Sequence, residues 1–278
     1  MIVLSTHAEV TAALRAPCPS LDNATAQLRD RAHEFFTAAQ LDAWILAWDR
    51  AWQSRFDNLA RNFDLMGDLA VPMCRQMAAE VSGIDETASL RLAPLARKLF
   101  DAETDPAAAA AATSAMISVI RDPLKVQAFA ALCHTLPAFL GNAWCALLQH
   151  PVEMERLANQ PEIWPGALEE LLRFAGPSVA VFRTAAKGER IKLELAKANF
   201  DPAAFTDPGQ LNLQRSAAGH VAFGAGPHAC VGAALIRRAA KTPLLVFAQR
   251  FTGRTVSFRP VPVETAALRS KQSVLMRT

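Results

Sequence analysis

The stretch HVAFGAGPHACVGAALIRRAA, His220 to Ala240, sets one cysteine, Cys230, among Gly224, Gly226 and Gly232, with an apolar helical pattern directly behind it. Glycines so placed let the backbone approach a flat object, since any side chain there would stand in the way. Cys230 then sits at the mouth of a helix, where unpaired N–H groups and the positive end of the dipole favour a thiolate. A thiolate held there is a metal ligand or a nucleophile. His228, two residues earlier, points the same way in an extended turn and offers a base. A buried structural cysteine is the third reading. On the residues alone, structural cysteine and ligand stand level, with the nucleophile behind, because free cysteines are so often core.

The rest of the composition narrows the setting. The chain has 278 residues, 51% hydrophobic and 20% charged, with a net charge of +3, a globular composition long enough to bury a sizeable core. No basic patch argues for nucleic acid, so no nucleic-acid partner is expected. Cys18, Cys74, Cys133, Cys145 and Cys230 are odd in number and hold no CxxC pair, which reads as reduced thiols. The opening MIVLSTHAEV meets His7 and Glu9 before a signal core forms, and no apolar run approaches the roughly twenty residues of a membrane span. The expectation is a cytoplasmic protein without membrane contact.

Helical spacing dominates the first half. HAEVTAALRAP, ATAQLRDRAHEFF, AAQLDAWILAWDRAWQSRFDNLARN and VPMCRQMAAEVSGI each read as helices, with Thr37 capping the third and Gly83 stopping the fourth. The alanines from Ala107 to Ala112 follow Asp105 and Pro106, a capped start. Strand patterns are confined to SVAVFRTA, RIKLELA, TVSFRPVPV and SVLMRT. The fold class is therefore mainly α with a few short β-strands, in a single domain over residues 1–278. Trp44, Trp48 and Trp52 share one helix face. Core packing is the first explanation of that stripe, and an interface in a homo-oligomer or partner complex the second.

The full pattern F-G-A-G-P-H-A-C-V-G resembles the cysteine-ligand loop of the cytochrome P450 family, in the bacterial variant with His in the usual Arg position. EELLR supplies Glu170 and Arg173, similar to the family's ExxR pair. ANFDPAAFTDP resembles its meander and GNAWCALLQHP the end of its long central helix, while QLRDRAHEFFT and FDLMGDLAVPMCRQMAAEVSGI extend the likeness over most of the chain. The resemblance implies a truncated cytochrome P450-like haem-thiolate fold that binds haem b (iron protoporphyrin IX) through Cys230, whose electron donation favours O–O cleavage. It places Phe223, Gly224, Gly226, Gly232 and His228 around the cofactor. Arg29, Arg183 and His228 match holders of the haem propionates, with Arg31 an equal alternative to Arg29.

Three departures stand out. The chain is short for the family: only CPSLDNA stands where relatives carry a substrate-covering loop, little lies between Arg121 and Ala131, and AKGE replaces the hairpin after VFRTA. Gln210 takes the place of the meander arginine, a role Arg215 is positioned to fill. The central-helix motif reads Ala131-Leu132-Cys133-His134-Thr135, so the threonine survives and the usual acid does not. His134 titrates near neutrality and is the candidate replacement for general acid work with Thr135, against a plain backbone-bonded histidine. Pro137 lacks an N–H and its ring clashes with the carbonyl of Cys133, so the helix should open there without the family's glycine.

The resemblance thus implies an enzyme, a cytochrome P450-type oxidoreductase: a haem-thiolate monooxygenase oxidising a small or carrier-bound organic substrate in specialised metabolism, with a ferredoxin and reductase as electron donors. The alternative is a haem-thiolate enzyme independent of external electrons, a peroxygenase, dehydratase or isomerase.

Overall fold

A computed structural model describes residues 1–16, 23–100, 105–185 and 188–277. Cys18, most of CPSLDNA and the first two residues of AKGE lie outside that range. Strand β1 (Ile2–Leu4) precedes α1 (His7–Arg15), α2 (Asn23–Phe35) and α3 (Ala38–Asp57). Strand β2 (Asn62–Asp64) leads into α4 (Val71–Ser82), and α5 (Glu86–Phe100) and α6 (Pro106–Ile120) form a contacting pair beside it. Next come α7 (Pro123–Ala130), α8 (Leu136–Gln149), α9 (Pro151–Asn159) and α10 (Trp164–Ala175). Strands β3 (Val181–Thr184) and β4 (Arg190–Leu193), the short α11 (Leu195–Asn199), helices α12 (Ala233–Ala239) and α13 (Lys241–Phe251), and strands β5 (Ser257–Glu264) and β6 (Arg269–Arg277) complete the described chain.

The helix boundaries follow local chemistry. Thr6 and Glu9 form a reciprocal capping box at α1, and Thr37 accepts from the Gln40 N–H at 3.3 Å to start α3. Asp105 accepts from the Ala108 N–H at 2.9 Å with Pro106 in the first turn of α6. Gly83, at φ 71°, ends α4 in the left-handed region where a side chain is disfavoured.

Two small sheets flank the helices, ordered β1-β4-β3 and β2-β6-β5. Strand β4 pairs parallel to β1 and antiparallel to β3, while the second sheet is antiparallel. The four sequence-predicted strand regions all carry strands. Strands β1 and β2, three residues each, show no alternation to read and exist because a longer strand supplies their hydrogen bonds.

Helix α8 runs through the core, buried from Leu136 to Leu147. The Trp144 ring packs against Trp52 at 6.3 Å and Phe247 at 5.6 Å between centroids. Trp48 and Trp52 are 2% and 1% exposed, and Trp44 stacks on Trp48 at 6.0 Å. The tryptophan stripe is therefore core, and it no longer argues for an oligomer interface.

From Pro123 to Gln149, α7, a π-helical turn at Ala131–Thr135 and α8 form one helix of 27 residues, whose best window has a mean hydropathy of 1.3. By length and composition this segment does reach a membrane span, against the sequence expectation. Its burial, 72% of that window, makes it the central helix of a packed core.

Candidate functional site

The cysteine loop is folded by its own backbone. The Cys230 N–H donates to the Phe223 carbonyl at 2.8 Å and the Ala229 N–H to Gly226 at 3.1 Å. This brings the Cys230 thiol to the wall of a cavity of about 690 Å3. Phe223, Gly224, His228 and Gly232 line the same cavity, as do Arg29, Arg183 and Thr135. Gly226 does not. At φ 66°, it lies where an added Cβ would stand 2.6 Å from the Leu14 carbonyl oxygen and 2.7 Å from the Arg15 Cα. That glycine is required for the loop to press on the end of α1, which corrects its assignment to the cofactor face.

Cys230 is exposed at the cavity wall, yet the surrounding protein pushes its thiol above the usual range. The Gly232 N–H and the charges of Arg237 and Arg29 oppose that shift without reversing it. The helix mouth alone therefore does not make a thiolate; coordination to a metal would. His228 Nε2 is buried and, among the described residues, has no hydrogen-bond partner, so it makes no hydrogen bond to the Cys230 thiol. Burial, then the charges of Arg183 and Arg29, lower the His228 pKa.

An orphaned ring nitrogen beside two guanidinium groups on one cavity wall is what a carboxylate-bearing ligand edge would satisfy. Arg29 is also tied to the loop, its Nη1 donating to the carbonyls of Pro227 at 2.7 Å and Ala229 at 2.9 Å. Arg31 instead pairs with Asp122 at 2.7 Å, so the choice between the two arginines falls on Arg29. Arg183 donates to the Phe182 carbonyl at 3.0 Å. The described residues hold no group of three or more His, Cys, Asp or Glu side chains able to bind a metal ion, which disfavours a zinc-type site. One thiol, a carboxylate-binding edge and a largely apolar wall fit haem b.

Behind the loop, Arg173 makes a two-pronged pair with Glu170, Nε to Oε2 at 2.7 Å and Nη2 to Oε1 at 2.8 Å. Arg173 Nη1 reaches the carbonyls of Asn199 and Pro208. Arg215 Nε donates to Glu170 Oε1 at 3.1 Å and its Nη groups bond the carbonyls of Thr206, Asp207 and Gln210. The arginine missing at position 210 is thus replaced from position 215.

On the central helix, Pro137 withholds an N–H and the Leu136 N–H reaches back to the Ala131 carbonyl, closing the π-turn. The helix opens where the sequence places the proline, without the family's glycine. The Thr135 hydroxyl donates to the Ala131 carbonyl at 2.9 Å, leaving its oxygen lone pairs on the cavity side. His134 is not on the cavity wall; its ring packs on Phe100 at 5.5 Å. A helix that exposes one residue to a pocket turns the preceding one about 100° away, so adjacency to Thr135 does not make His134 its partner. Among the described residues no Asp or Glu lines the cavity either.

Sequence reasoning missed the rest of the wall. Phe100, Thr113, Ile117, Gln127 and Ser178 line it from α5, α6, α7 and the segment before β3. None of these carries a motif, and only packing assembles them. Also missed was Glu169, which accepts from Arg237 and contacts His220.

No family model matches the chain. Cytochrome P450 107B1 of Saccharopolyspora erythraea is 37% identical over 150 residues, covering 50% of this chain and 36% of that protein. The 20-oxo-5-O-mycaminosyltylactone 23-monooxygenase of Streptomyces fradiae is 35% identical over 136 residues, covering 45% and 31%. The match thus spans about a third of the length of these curated relatives. The solved structure of P450BioI in complex with an acyl carrier protein bearing hexadec-9Z-enoic acid matches 99% of this chain and 91% of that one, with a TM-score of 0.85 at 19% identity. The chain thus shares the fold of that P450 structure, and about half of it is similar in sequence to bacterial cytochrome P450s.

Proposed function

We propose that the protein is a haem-thiolate monooxygenase acting on an apolar organic substrate, either free or carried on a protein. The observation that carries this reading is that Cys230, the cationic edge of Arg29, Arg183 and His228, and Thr135 all line one largely apolar cavity. When bound, haem supplies a redox iron whose thiolate ligand favours cleavage of an O–O bond. The chain's own residues do the rest. Cys230 would hold the iron, and the cationic edge of Arg29, Arg183 and His228 would bind the group's carboxylates. Phe100, Ile117 and Val181 hold apolar substrate and exclude water, and the Thr135 oxygen remains free to accept a proton-bearing partner at the distal side.

Support for a carrier-borne substrate comes from P450BioI, solved with an acyl carrier protein; support for monooxygenation comes from the named activity of the Streptomyces fradiae relative. A ferredoxin and reductase would deliver the electrons. Soluble bacterial relatives support a cytoplasmic setting. One observation favours the second reading, an enzyme independent of external electrons: among the described residues no carboxylate lines the cavity, and His134 does not line it either.

The deciding experiment has two stages. Reduced, haem-loaded protein with carbon monoxide should show the red-shifted band of thiolate ligation, and Cys230→Ser should abolish it. Turnover is then compared with reductant and O2, with peroxide, and without oxidant. Activity restricted to reductant and O2 supports monooxygenation, while full activity with peroxide or under anaerobiosis transfers the assignment to the second reading.

A further inference from the structure

We infer that Glu169 is a positioning residue for the cysteine ligand, clamping both ends of the Cys230 loop to helix α10 through His220 and Arg237. The inference rests on the reading of Cys230 as the haem ligand.

The clamp is a closed circuit. Glu169 Oε1 accepts from Arg237 Nε at 2.7 Å and Oε2 from Arg237 Nη2 at 2.8 Å. Oε2 also meets His220 Nε2 at 2.9 Å. His220 Nδ1 accepts from the Ala222 N–H at 3.1 Å, which assigns the neutral ring's proton to Nε2 and makes it a donor to Glu169. The Arg237 guanidinium lies over the Phe223 ring, 4.7 Å from its centroid, a cation–π contact. The Phe223 carbonyl in turn accepts the Cys230 N–H. Residue 220 begins the loop and residue 237 lies on the helix that follows it, so one carboxylate fixes both ends with the ligand between them. The neighbouring Glu170 performs a different task, holding Arg173 and Arg215.

The clamp also sets charge. The Arg237 guanidinium stacks on Phe223, whose carbonyl accepts the Cys230 N–H, and Glu169 offsets that cation. Partners that orient a metal ligand from the second layer affect its binding roughly 10- to 100-fold. Removing the carboxylate should loosen the loop and leave the Arg237 charge uncompensated near the sulfur. The reduced state of the iron would then be favoured.

The test uses haem-loaded wild type, Glu169→Gln, His220→Phe, Arg237→Lys and, as a control on the same helix as Arg237, Arg238→Ala, which loses surface contacts with Asp42 and the Ala38 carbonyl. Each is reduced under carbon monoxide well below its melting temperature. Wild type and Arg238→Ala should hold the red-shifted thiolate band. Glu169→Gln should lose it to a shorter-wavelength band roughly tenfold faster or more, and its iron reduction potential should rise; Arg237→Lys and His220→Phe should do so to a lesser degree. A folded Glu169→Gln protein with wild-type band lifetime and potential overturns the inference. Absence of the band in wild type itself would instead overturn Cys230 as ligand. Should Glu169→Gln not fold, the Arg237→Lys and His220→Phe pair decides, and unchanged lifetimes in both overturn it.

Discussion

Arg215 approaches Glu170 from the side that Arg173 leaves open, its Nε 3.1 Å from an oxygen that Arg173 also contacts. Two guanidinium groups thus share one carboxylate that is wholly buried. The arrangement joins α10 to the segment before the cysteine loop, with Arg215 also bonding three carbonyls there.

Removing one member of such a cluster leaves an uncompensated buried charge. Glu170→Ala should destabilise the fold by about 3–5 kcal/mol, or prevent folding, because Arg173 then lies buried beside nothing that balances it. Arg215→Ala should cost less, since Arg173 keeps the two-pronged pair and Arg215 is partly exposed. Denaturant titration of both variants checks the order; equal losses would refute it.

The His228 ring and the Arg29 guanidinium should separate in their effects. His228→Phe removes a buried nitrogen that has no partner among the described residues, so haem-free stability should hold or rise. Haem affinity should nevertheless fall about 10- to 100-fold, the worth of one hydrogen bond to a charged group. Arg29→Leu should lower both, since its carbonyl bonds hold the loop with or without cofactor. Haem titration alongside thermal melting measures this, and identical behaviour of the two variants would count against the carboxylate-binding edge.

Gly226→Ala should be far more damaging than Gly188→Ala. Both glycines have positive φ, 66° and 86°, but only at 226 would the Cβ meet backbone, at 2.6 Å. Strain of about 1–3 kcal/mol comes from the dihedral in either variant; the clash with α1 adds to it at 226 alone. A melting-temperature comparison tests the difference.

Acid stability should depend on Glu169. Burial raises its pKa, yet hydrogen bonds from Arg237 and His220 and the Arg237 charge outweigh that and bring it down to about 2. A carboxyl depressed in the folded state contributes stability that is fully present above its unfolded pKa, near 4.5, and is lost as pH falls toward 2. Discounted for solvent screening of a partly exposed carboxyl, the contribution is about 1–2 kcal/mol. Glu169→Gln should therefore flatten the decline in stability between those pH values, read by urea unfolding at a series of pH values.

His134→Ala should change turnover far less than the loss of a general acid would, because the ring contacts the wall residue Phe100 but does not itself line the cavity. Thr135→Ala should alter the ratio of product to oxidant consumed. A loss of a hundredfold or more in His134→Ala, the size of a missing general acid, would restore the relay that adjacency implied.

The sequence by itself determined the elements whose causes are local. Thr37, Asp105 and Gly83 bound helices through their own backbone neighbours, and the absence of an N–H on Pro137 opens the central helix. The ligand-loop pattern around Cys230 is legible for the same reason: its geometry is made within a dozen residues. Tertiary structure decided whatever depends on which way a side chain turns or what lies across from it. It set Arg29 rather than Arg31 against the loop and turned His134 off the cavity. It also brought Arg215 into the place left by Gln210, pressed Gly226 onto α1, and closed Glu169, His220 and Arg237 into a clamp. Helical phase and the packing of distant segments fix those relations. Neither is written in the spacing of neighbouring residues, so a motif names the chemistry and the fold chooses its partners.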